Sequence, residues 1–322
     1  MIKKPTVLIL GAGASNPYGY PVGSGLKEEI LNKIDFKINS RVNIFRKMFK
    51  TPGYRYFENI LGDEFLENLE TLINFRNSFE GSNRSSIDAF LENRDEFRKV
   101  GKLAIAGELI HCENFHKRNI GSNWNWFEYL HDSVMMKGCY SVEEYCENNK
   151  INIITFNYDR SFEHMLINAL KETYGADENY CAKNIRNNIK IIHVHGQIDY
   201  LPWEKNDGRE YGQIPASSNE WKNSTKNIKI IYENVERSFD DAHQLIDQAD
   251  QIIFLGLNLH NSINLDHLRI KEFLKKKTIY TTSKGLTPSQ KRYIKSYFNN
   301  NIQALDNMYN NSYLLLSHVI DF

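Results

Sequence analysis

The sequence predicts an α/β protein that is built on a doubly wound, parallel β-sheet. Short and nearly continuous apolar runs recur along the chain, and such runs are typical of parallel strands that are covered on both faces. Patterns of helical period separate several of these runs, and this alternation favours a doubly wound sheet. Six of the runs are predicted to be strands: residues 6–10, 152–156, 190–194, 228–232, 251–255 and 278–282.

Two helices are predicted between and after these strands. Residues 160–174 carry apolar side chains at helical spacing and are followed by Gly175, a common residue type just past the end of a helix. Residues 289–298 follow Pro288, which favours the start of a helix. The apolar stripe of the first helix consists of Phe162, Met165, Leu166 and Ala169.

The stretch between the first two strands is predicted to be helical. It is about 140 residues long, whereas one crossover between parallel strands needs only about a dozen. We therefore predict that residues 35–148 form a large helical insertion or subdomain. Residues 1–34 and 149–322 are then predicted to form the core.

Three helices are predicted inside this insertion. The first has an apolar stripe made of Phe65, Leu66, Leu69, Leu72 and Ile73. A capping box, Ser85-x-x-Asp88, predicts the start of one long second helix. That helix would contain Ile87, Phe90, Leu91, Val100, Leu103 and Ala104, and the third helix would contain Trp126, Phe127, Leu130 and Val134.

Composition excludes several classes of protein. Lysine plus arginine and aspartate plus glutamate both number 40, so the net charge of zero argues against nucleic-acid binding through bulk positive charge. No apolar run approaches the roughly 18 residues of a membrane helix, and the first residues do not resemble a signal peptide. We therefore expect a cytoplasmic protein with reduced thiols and no zinc ribbon, because no C-x-x-C pair occurs among Cys112, Cys139, Cys146 and Cys181.

A glycine-rich turn follows the first predicted strand. In Gly11-Ala12-Gly13-Ala14-Ser15, two glycines allow the backbone to approach a phosphate closely, as in Rossmann-like nucleotide sites. Asn16 occupies the place of the third glycine, and no acidic residue follows a second strand about 20 residues later, which disfavours a hydride-transferring dehydrogenase. The alternative is a tight turn that binds nothing.

Polar residues follow the second predicted strand as well. Asn157 and Asp159 lie where ligands of open α/β sheets bind, beyond the carboxyl ends of the strands. In the alternative interpretation, Asp159 caps the next helix and Asn157 forms a turn.

The third predicted strand ends in His193-Val194-His195-Gly196. Alternation along a strand places both histidines on one face, unless the strand ends before His195. His195 is a candidate general base, and the H-x-H pair is an alternative metal site or a pair of structural histidines. After the fifth predicted strand, Gly256 and Asn258 suit a contact to ribose or phosphate.

The linker between the third and fourth predicted strands contains two tryptophans. Trp203 and Trp221 lie in a polar stretch with glycine and proline. We expect a surface flap there, and a flexible loop over the site is the alternative.

The order of these motifs resembles the sirtuin family. Sirtuins carry G-A-G-x-S, T-Q-N-I-D, H-G and G-T-S in the same order, each at the carboxyl edge of the sheet. This chain has G-A-G-A-S at residues 11–15, T-x-N-x-D at 155–159, H-G at 195–196 and G-x-N at 256–258. Phe156 and Tyr158 replace the family's Gln and Ile, and Asn258 stands where the family has Ser. The resemblance covers about half of the chain and excludes the helical insertion.

The resemblance implies an NAD+ site. Asn157 would position the ribose and the attacking group, Asp159 would hold the nicotinamide amide, and His195 would act as a base on the nicotinamide ribose. The residues that would contact the rest of the dinucleotide are Gly11, Ala12, Gly13, Ser15, Gly196, Gly256 and Asn258.

Departures from the family pattern bear on the reaction. Sirtuin deacylases carry two C-x-x-C pairs and the stretch P-D-F-R, whereas this chain has no such pairs and has residues 21–24 as P-V-G-S. This profile resembles the sirtuin-like NADases of bacterial antiphage defence. It implies metal-independent cleavage of NAD+ to nicotinamide and ADP-ribose or a cyclic ADP-ribose, in a homo-oligomer with a sensor or partner protein. The alternatives are a protein deacylase or ADP-ribosyltransferase, and a non-catalytic NAD or ADP-ribose sensor or scaffold.

Overall fold

The computed structural model of the chain describes residues 1–34, 52–118, 125–230, 233, 235–259, 262–305 and 310–318. Within these residues five parallel strands form one sheet in the order β3-β2-β1-β4-β5. The predicted doubly wound, Rossmann-like α/β fold is therefore confirmed. The strands are β1 (Thr6–Leu10), β2 (Ile151–Thr155), β3 (Ile191–His193), β4 (Gln251–Leu255) and β5 (Thr278–Thr281).

Both faces of the sheet are buried, which explains the continuous apolar runs. On β1, Leu8 and Leu10 pack into one hydrophobic cluster, and Val7 and Ile9 pack into another. Each such side chain stabilises the fold by about 1.5–3 kcal/mol when fully buried. At the carboxyl edge, Leu10 is level with Thr155 of β2 and with Leu255 of β4, so the turns that follow these three strands are neighbours.

The prediction of a strand at residues 228–232 is wrong in its described part. Residues 228–230 belong to no strand, and residues 231–232 lie outside the described residues. Ile228 and Ile230 are fully buried in the larger hydrophobic cluster, and the Lys229 N–H donates to the carbonyl of His195. A buried irregular segment needs the same apolar residues as a buried strand, so the pattern cannot separate the two.

The described segments between β1 and β2 are largely helical, as predicted, and the limits of the insertion remain a prediction. The helices are α1 (Ala12–Ser15), α2 (Gly23–Lys33), α3 (Pro52–Leu61), α4 (Phe65–Gly81), α5 (Ile87–Leu91), α6 (Arg98–Arg118), α7 (Trp126–Glu128) and α8 (Val142–Asn148). Short 3₁₀ turns cover Asn16–Tyr18, Gly62–Glu64 and Asp95–Phe97, and a π-helical segment covers Tyr129–Met135.

Two details inside the insertion differ from the prediction. The predicted long helix is two helices, α5 and α6, separated by the turn at residues 92–97, and Ser86 rather than Ser85 caps α5. Ser86 has the extended backbone that an N-cap needs, and its Oγ accepts from the Ala89 N–H at 3.2 Å. Leu66 is 65% exposed, because the buried face of α4 is formed by Phe65, Leu72, Phe75 and Phe79 instead.

The second half of the chain supplies further helices. They are α9 (Ser161–Tyr174), α10 (Glu178–Asn188), α11 (Ser218–Thr225), α12 (Glu236–Gln248), α13 (Ser262–His267), α14 (Pro288–Tyr297) and α15 (Ser312–His318), with a 3₁₀ segment at Ile270–Lys276. The predicted end of α9 at Gly175 is confirmed, and Thr287 forms a capping box with Gln290 at the start of α14. Within the described part of the chain, every helix is too short or too polar to cross a membrane.

Candidate functional site

The glycine-rich turn after β1 packs directly against the turn after β4. The N–H of Gly11 donates to the carbonyl of Leu255 at 2.9 Å, and the N–H of Gly13 donates to the carbonyl of Gly256 at 3.0 Å. Gly256 has φ +63°, and a Cβ there would lie 2.2 Å from the Ala14 nitrogen. The glycines are therefore required for contact between the two turns, and two of the amides that could face a phosphate are bonded within the protein.

Asn157 connects the end of β2 to this glycine-rich turn. Its Nδ2 donates to the carbonyl of Gly11 at 3.0 Å and to the Oγ of Ser15 at 3.0 Å. The side chain is buried, and both amide protons are used. Since Oδ1 makes no hydrogen bond to any described residue, it is the atom of this side chain that remains for a ligand.

Asp159 lies in the same cluster, where it meets the start of α9. Its Oδ1 accepts hydrogen bonds from the Ser161 N–H, at 3.1 Å, and from the Ser161 hydroxyl. Burial raises the pKa of Asp159, while hydrogen bonds from Ser161 and Ser15 oppose that rise. Asp159 therefore bonds to the first residue of α9, but the N-cap residue of that helix is Arg160, so the alternative prediction that Asp159 is the cap is not confirmed. The hydrogen bond with Ser15 places the Asp159 carboxyl beside that residue.

His193, the last residue of β3, and His195, two residues later, face opposite sides of the sheet. His193 is level with Thr155 of the neighbouring strand β2. β3 ends at His193, before His195, which is the stated exception under which alternation does not place both histidines on one face. The His193 ring contacts Glu163 of α9, whereas the His195 ring packs against Phe156 and Phe239 with centroid distances of 5.6 and 5.8 Å. The H-x-H pair therefore does not converge on one point. No group of metal-binding side chains occurs in the described ranges.

Gly196 turns the chain sharply after His195. It has φ +71°, and a Cβ there would lie 1.7 Å from the carbonyl oxygen of Asn227. The turn keeps His195 buried near the carboxyl edge, beside Phe156, which directly precedes Asn157. In the turn after β4, the Gly256 N–H donates to Thr282 Oγ1 at 2.9 Å. Asn258, two residues after Gly256, is exposed.

A buried ion pair directly after Asp159 was not predicted from the sequence. Arg160 donates to both carboxylate oxygens of Glu113 at 2.9 and 2.8 Å, and both side chains are fully buried. Arg209 donates to the same carboxylate at 2.9 Å. Burial alone would raise the pKa of Glu113, but the two guanidinium groups outweigh it and lower that pKa. The available signal was an arginine that directly follows the T-x-N-x-D motif.

Residues of the predicted insertion make three contacts with two of the motif loops. Glu113 of α6 binds Arg160, the Trp126 indole N–H donates to the carbonyl of Ala14 at 2.7 Å, and the Tyr158 hydroxyl donates to Asp88 Oδ1 at 2.6 Å. The helices between β1 and β2 therefore hold the turns after β1 and β2 in place.

The expectation of a surface flap around Trp203 and Trp221 is wrong. The two side chains are only 7% and 6% exposed, and both belong to the larger hydrophobic cluster. The segment is held further by Arg209, which donates to Asp199 Oδ2 at 2.7 Å as well as to Glu113.

The sequence-predicted residues thus fall into two sets. Ser15, Asn157 and Asp159 form one connected hydrogen-bonded cluster, joined through Ser161, whose Oγ is 3.4 Å from Ser15 Oγ. His195 instead packs against the rings of Phe156 and Phe239, and Asn258 lies on the surface of the neighbouring turn.

Comparisons with known proteins add a distant structural likeness. No protein-family model matches the sequence, and no curated protein matches it either. Among solved structures, the chain is similar to Sir2Tm bound to a propionylated peptide, with 15% sequence identity and a TM-score of 0.37 over 97% of this chain and 89% of that one. A superposition at this TM-score identifies no activity, and the fold assignment rests on the strand order itself.

Proposed function

We propose that this protein is an NAD+ glycohydrolase that cleaves NAD+ to nicotinamide and ADP-ribose. The supporting observation is the double hydrogen bond from Asn157 to Gly11 and Ser15. It joins two motifs that lie far apart in the sequence and that both resemble the sirtuin pattern. Ser15, Asn157 and Asp159 are buried, so a substrate bound against them would be shielded from bulk water.

Each residue of the proposed site has a distinct chemical role. The bond between the ribose C1′ and nicotinamide breaks through an oxocarbenium-like transition state, and nicotinamide keeps the electron pair. Asp159 would accept a hydrogen bond from the carboxamide and hold the leaving group. Asn157 Oδ1 would orient the water whose oxygen bonds to C1′, and His195 would accept the proton released, directly or through the ribose hydroxyls.

The remaining contacts with the dinucleotide would come from the turns after β1, β3 and β4. Ala12, Gly13 and Ser15 would lie against the phosphates and ribose, with Gly196, Gly256 and Asn258 lining the neighbouring turns. The Gly11 and Gly13 amides are bonded to the turn after β4, so these glycines would shape the site through that contact more than through hydrogen bonds to the dinucleotide. No metal is required for any of these steps.

The biological setting of the proposal follows from the family resemblance. The missing C-x-x-C pairs and P-D-F-R stretch favour the NADase branch that acts in bacterial antiphage defence. In that setting the protein would be a cytoplasmic homo-oligomer that depletes NAD+ when a sensor or partner protein activates it. A cyclic ADP-ribose is the alternative product.

The proposal is tested by chromatography of NAD+ incubated with the purified protein, with and without an acetyl-lysine peptide. We expect nicotinamide and ADP-ribose to form without the peptide, and Asn157→Ala to abolish this turnover. Asn149→Ala is a matched control. Asn149 is also a buried asparagine, with Nδ2 bonds to Met135 and Tyr145, but it lies at the opposite end of β2.

Other outcomes identify the alternatives. Turnover only with the acyl peptide would assign a deacylase. Binding of NAD+ or ADP-ribose without turnover, both in vitro and in phage-infected cells that carry the neighbouring genes, would assign a sensor or scaffold. Full activity of Asn157→Ala with an unchanged melting curve would contradict the proposed role of that residue.

A further inference from the structure

His193 is a buried histidine that the proposed reaction does not use. Its Nδ1 lies 2.8 Å from the main-chain carbonyl oxygen of Asn157, and its Nε2 lies 2.8 Å from Glu163 Oε1. The side chain of His193 is 6% exposed and that of Glu163 is 1% exposed. One imidazole therefore bridges a carboxylate in α9 and the backbone of the residue that we propose to orient the attacking water.

With Glu163 ionised, the two contacts together require a doubly protonated ring. A carbonyl oxygen can only accept, so Nδ1 must donate to Asn157, and Nε2 must donate as well when it faces an ionised carboxylate. A neutral imidazole has one N–H and satisfies only one of the two partners. The other oxygen of Glu163, Oε2, is buried and bonds to no described residue, so His193 is the hydrogen-bond partner on which this carboxylate depends.

The charged groups around His193 support this protonation state. Burial by itself would lower the pKa of His193, but the charge and hydrogen bond of Glu163 and the Asn157 carbonyl raise it to about 9. Glu204, from the segment after β3, adds a second acidic group near the ring, and the neutral Gln197 donates to Glu204 at 3.2 Å. Burial and the nearby Glu163 raise the pKa of Glu204.

We propose that the imidazolium of His193, paired with the carboxylate of Glu163, is a positioning residue that fixes the main chain of Asn157 for cleavage of the nicotinamide–ribose bond. This inference rests on the proposed NADase function. His193 does not touch the reacting atoms. It acts by holding the Asn157 carbonyl, and therefore the angle at which Asn157 Oδ1 meets the ribose and water.

A positioning role and a purely structural role predict different kinetics. We expect His193→Gln to lower kcat about 100-fold with little change in KM for NAD+, because a small displacement of an orienting group costs rate more than binding. A structural role alone would lower the melting temperature and leave kcat per folded molecule unchanged.

The pH dependence of kcat supplies a second readout. The pKa of His193 lies above the ordinary value for histidine of 6.5, so the doubly bonded arrangement is complete below that value and is lost as the pH rises through about 9. We expect kcat to fall along this alkaline limb. In Glu163→Gln the carboxylate charge is gone while burial remains, so the limb should move to lower pH.

The control variant is His243→Gln. Nε2 of His243 also donates to a main-chain carbonyl, that of His267, at 2.8 Å, and its Nδ1 lies 3.8 Å from Asp240. This histidine belongs to α12 and touches none of the proposed site. We expect His243→Gln to keep the wild-type kcat and pH profile.

Nuclear magnetic resonance of protein labelled with ¹⁵N-histidine gives a readout that needs no activity. The chain has 10 histidines, and His193→Gln identifies the signal of interest. Protonation of both ring nitrogens near neutral pH is the expected result. A neutral His193 ring overturns the inference, as does an unchanged kcat and alkaline limb in His193→Gln beside an active wild type. If neither the wild type nor any variant cleaves NAD+, both in vitro and in phage-infected cells that carry the neighbouring genes, the proposed function is wrong and this inference falls with it.

Discussion

The carboxyl edge of the sheet is held together in two different ways. On the glycine side, formed by Gly11, Gly13 and Gly256, two turns meet backbone to backbone with no room for a Cβ. On the charged side, formed by Glu113, Arg160, Glu163 and His193, buried ionisable groups meet in hydrogen-bonded pairs. The first side depends on the absence of side chains, and the second depends on the presence of complementary charge.

This difference implies different sensitivities to mutation. Backbone atoms have no alternative rotamers that could relieve a steric clash. Any side chain added on the glycine side should therefore destabilise the fold. Buried charges tolerate changes of shape better than the loss of a partner, because an uncompensated ion in a low-dielectric interior is costly. Asn157 bonds to Gly11 on one side and accepts from His193 on the other, so it joins the two sides.

The largest effect should come from removing the shared carboxylate of the charged side. Glu113→Gln leaves Arg160 and Arg209 buried against a neutral amide, and we expect it to lower the free energy of unfolding by about 3–5 kcal/mol. Glu178→Gln, which breaks the more exposed pair with Lys171, should cost less than about 1 kcal/mol. Urea unfolding of the two variants measures the difference. Equal small losses in both would show that the buried pair has little net value.

The Glu113 carboxylate should also make the free energy of unfolding depend on pH in the acidic range. The pKa of Glu113 is lowered below its ordinary value of 4.5 in the folded protein. Its contribution is therefore present above that ordinary value and is lost as the pH falls through the folded pKa. The gap between wild type and Glu113→Gln should be constant near neutral pH and should shrink in acid. A gap that widens in acid would reverse the assigned sign.

The glycine side is tested by Gly256→Ala. We expect a loss of about 1–2 kcal/mol from the left-handed backbone, plus about 1–3 kcal/mol because the new Cβ would lie 2.2 Å from the Ala14 nitrogen. Gly285→Ala is the matched control, since Gly285 has φ +77° but no atom within 4 Å of its Cβ. Gly285→Ala should lose only about 1–2 kcal/mol, the part that comes from the left-handed backbone. If thermal denaturation gives the two variants the same loss, the close contact between the turns is not limiting.

The smallest effect should be a gain in stability. Burial raises the pKa of Asp159, which means that the folded protein disfavours the charged form and that stability falls as the pH rises above the ordinary value of 3.8. Asp159→Asn keeps an oxygen for Ser161 and removes the charge. We expect it to raise stability near neutral pH by an amount on the order of 1 kcal/mol while impairing NAD+ cleavage. A lower melting temperature in this variant would contradict the burial argument.

Local signals in the sequence predicted most of the sheet and its helix ends. The bounds of β1 and β4 match the predicted runs, and those of β2, β3 and β5 differ by a residue at one or both ends. Gly175 and the residues around Pro288 end and begin helices as predicted. These features depend on neighbours within a few positions, so they can be inferred without knowledge of the fold.

The candidate site was predicted in part. The motif residues Ser15, Asn157 and Asp159 meet at the expected edge, because parallel strands bring their carboxyl ends together. The directions of the two histidines stayed open in the prediction, because they depend on where β3 ends, and its end at His193 turns them to opposite sides of the sheet. The segment at residues 228–230 was assigned to a strand because burial of a loop leaves the same apolar pattern.

The order of residues by itself determined where strands run, which turns need glycine and which polar groups follow the strands, because these depend on backbone sterics and short-range periodicity. Only the tertiary structure decided that Glu113 would face Arg160, 47 residues away, and that His193 would bridge Glu163 and Asn157. Pairing between charged residues that are distant in the sequence depends on the tertiary arrangement of the helices and strands that carry them. No local sequence pattern encodes that arrangement. Once the fold has formed such a pair, the low-dielectric interior makes its contribution to stability large.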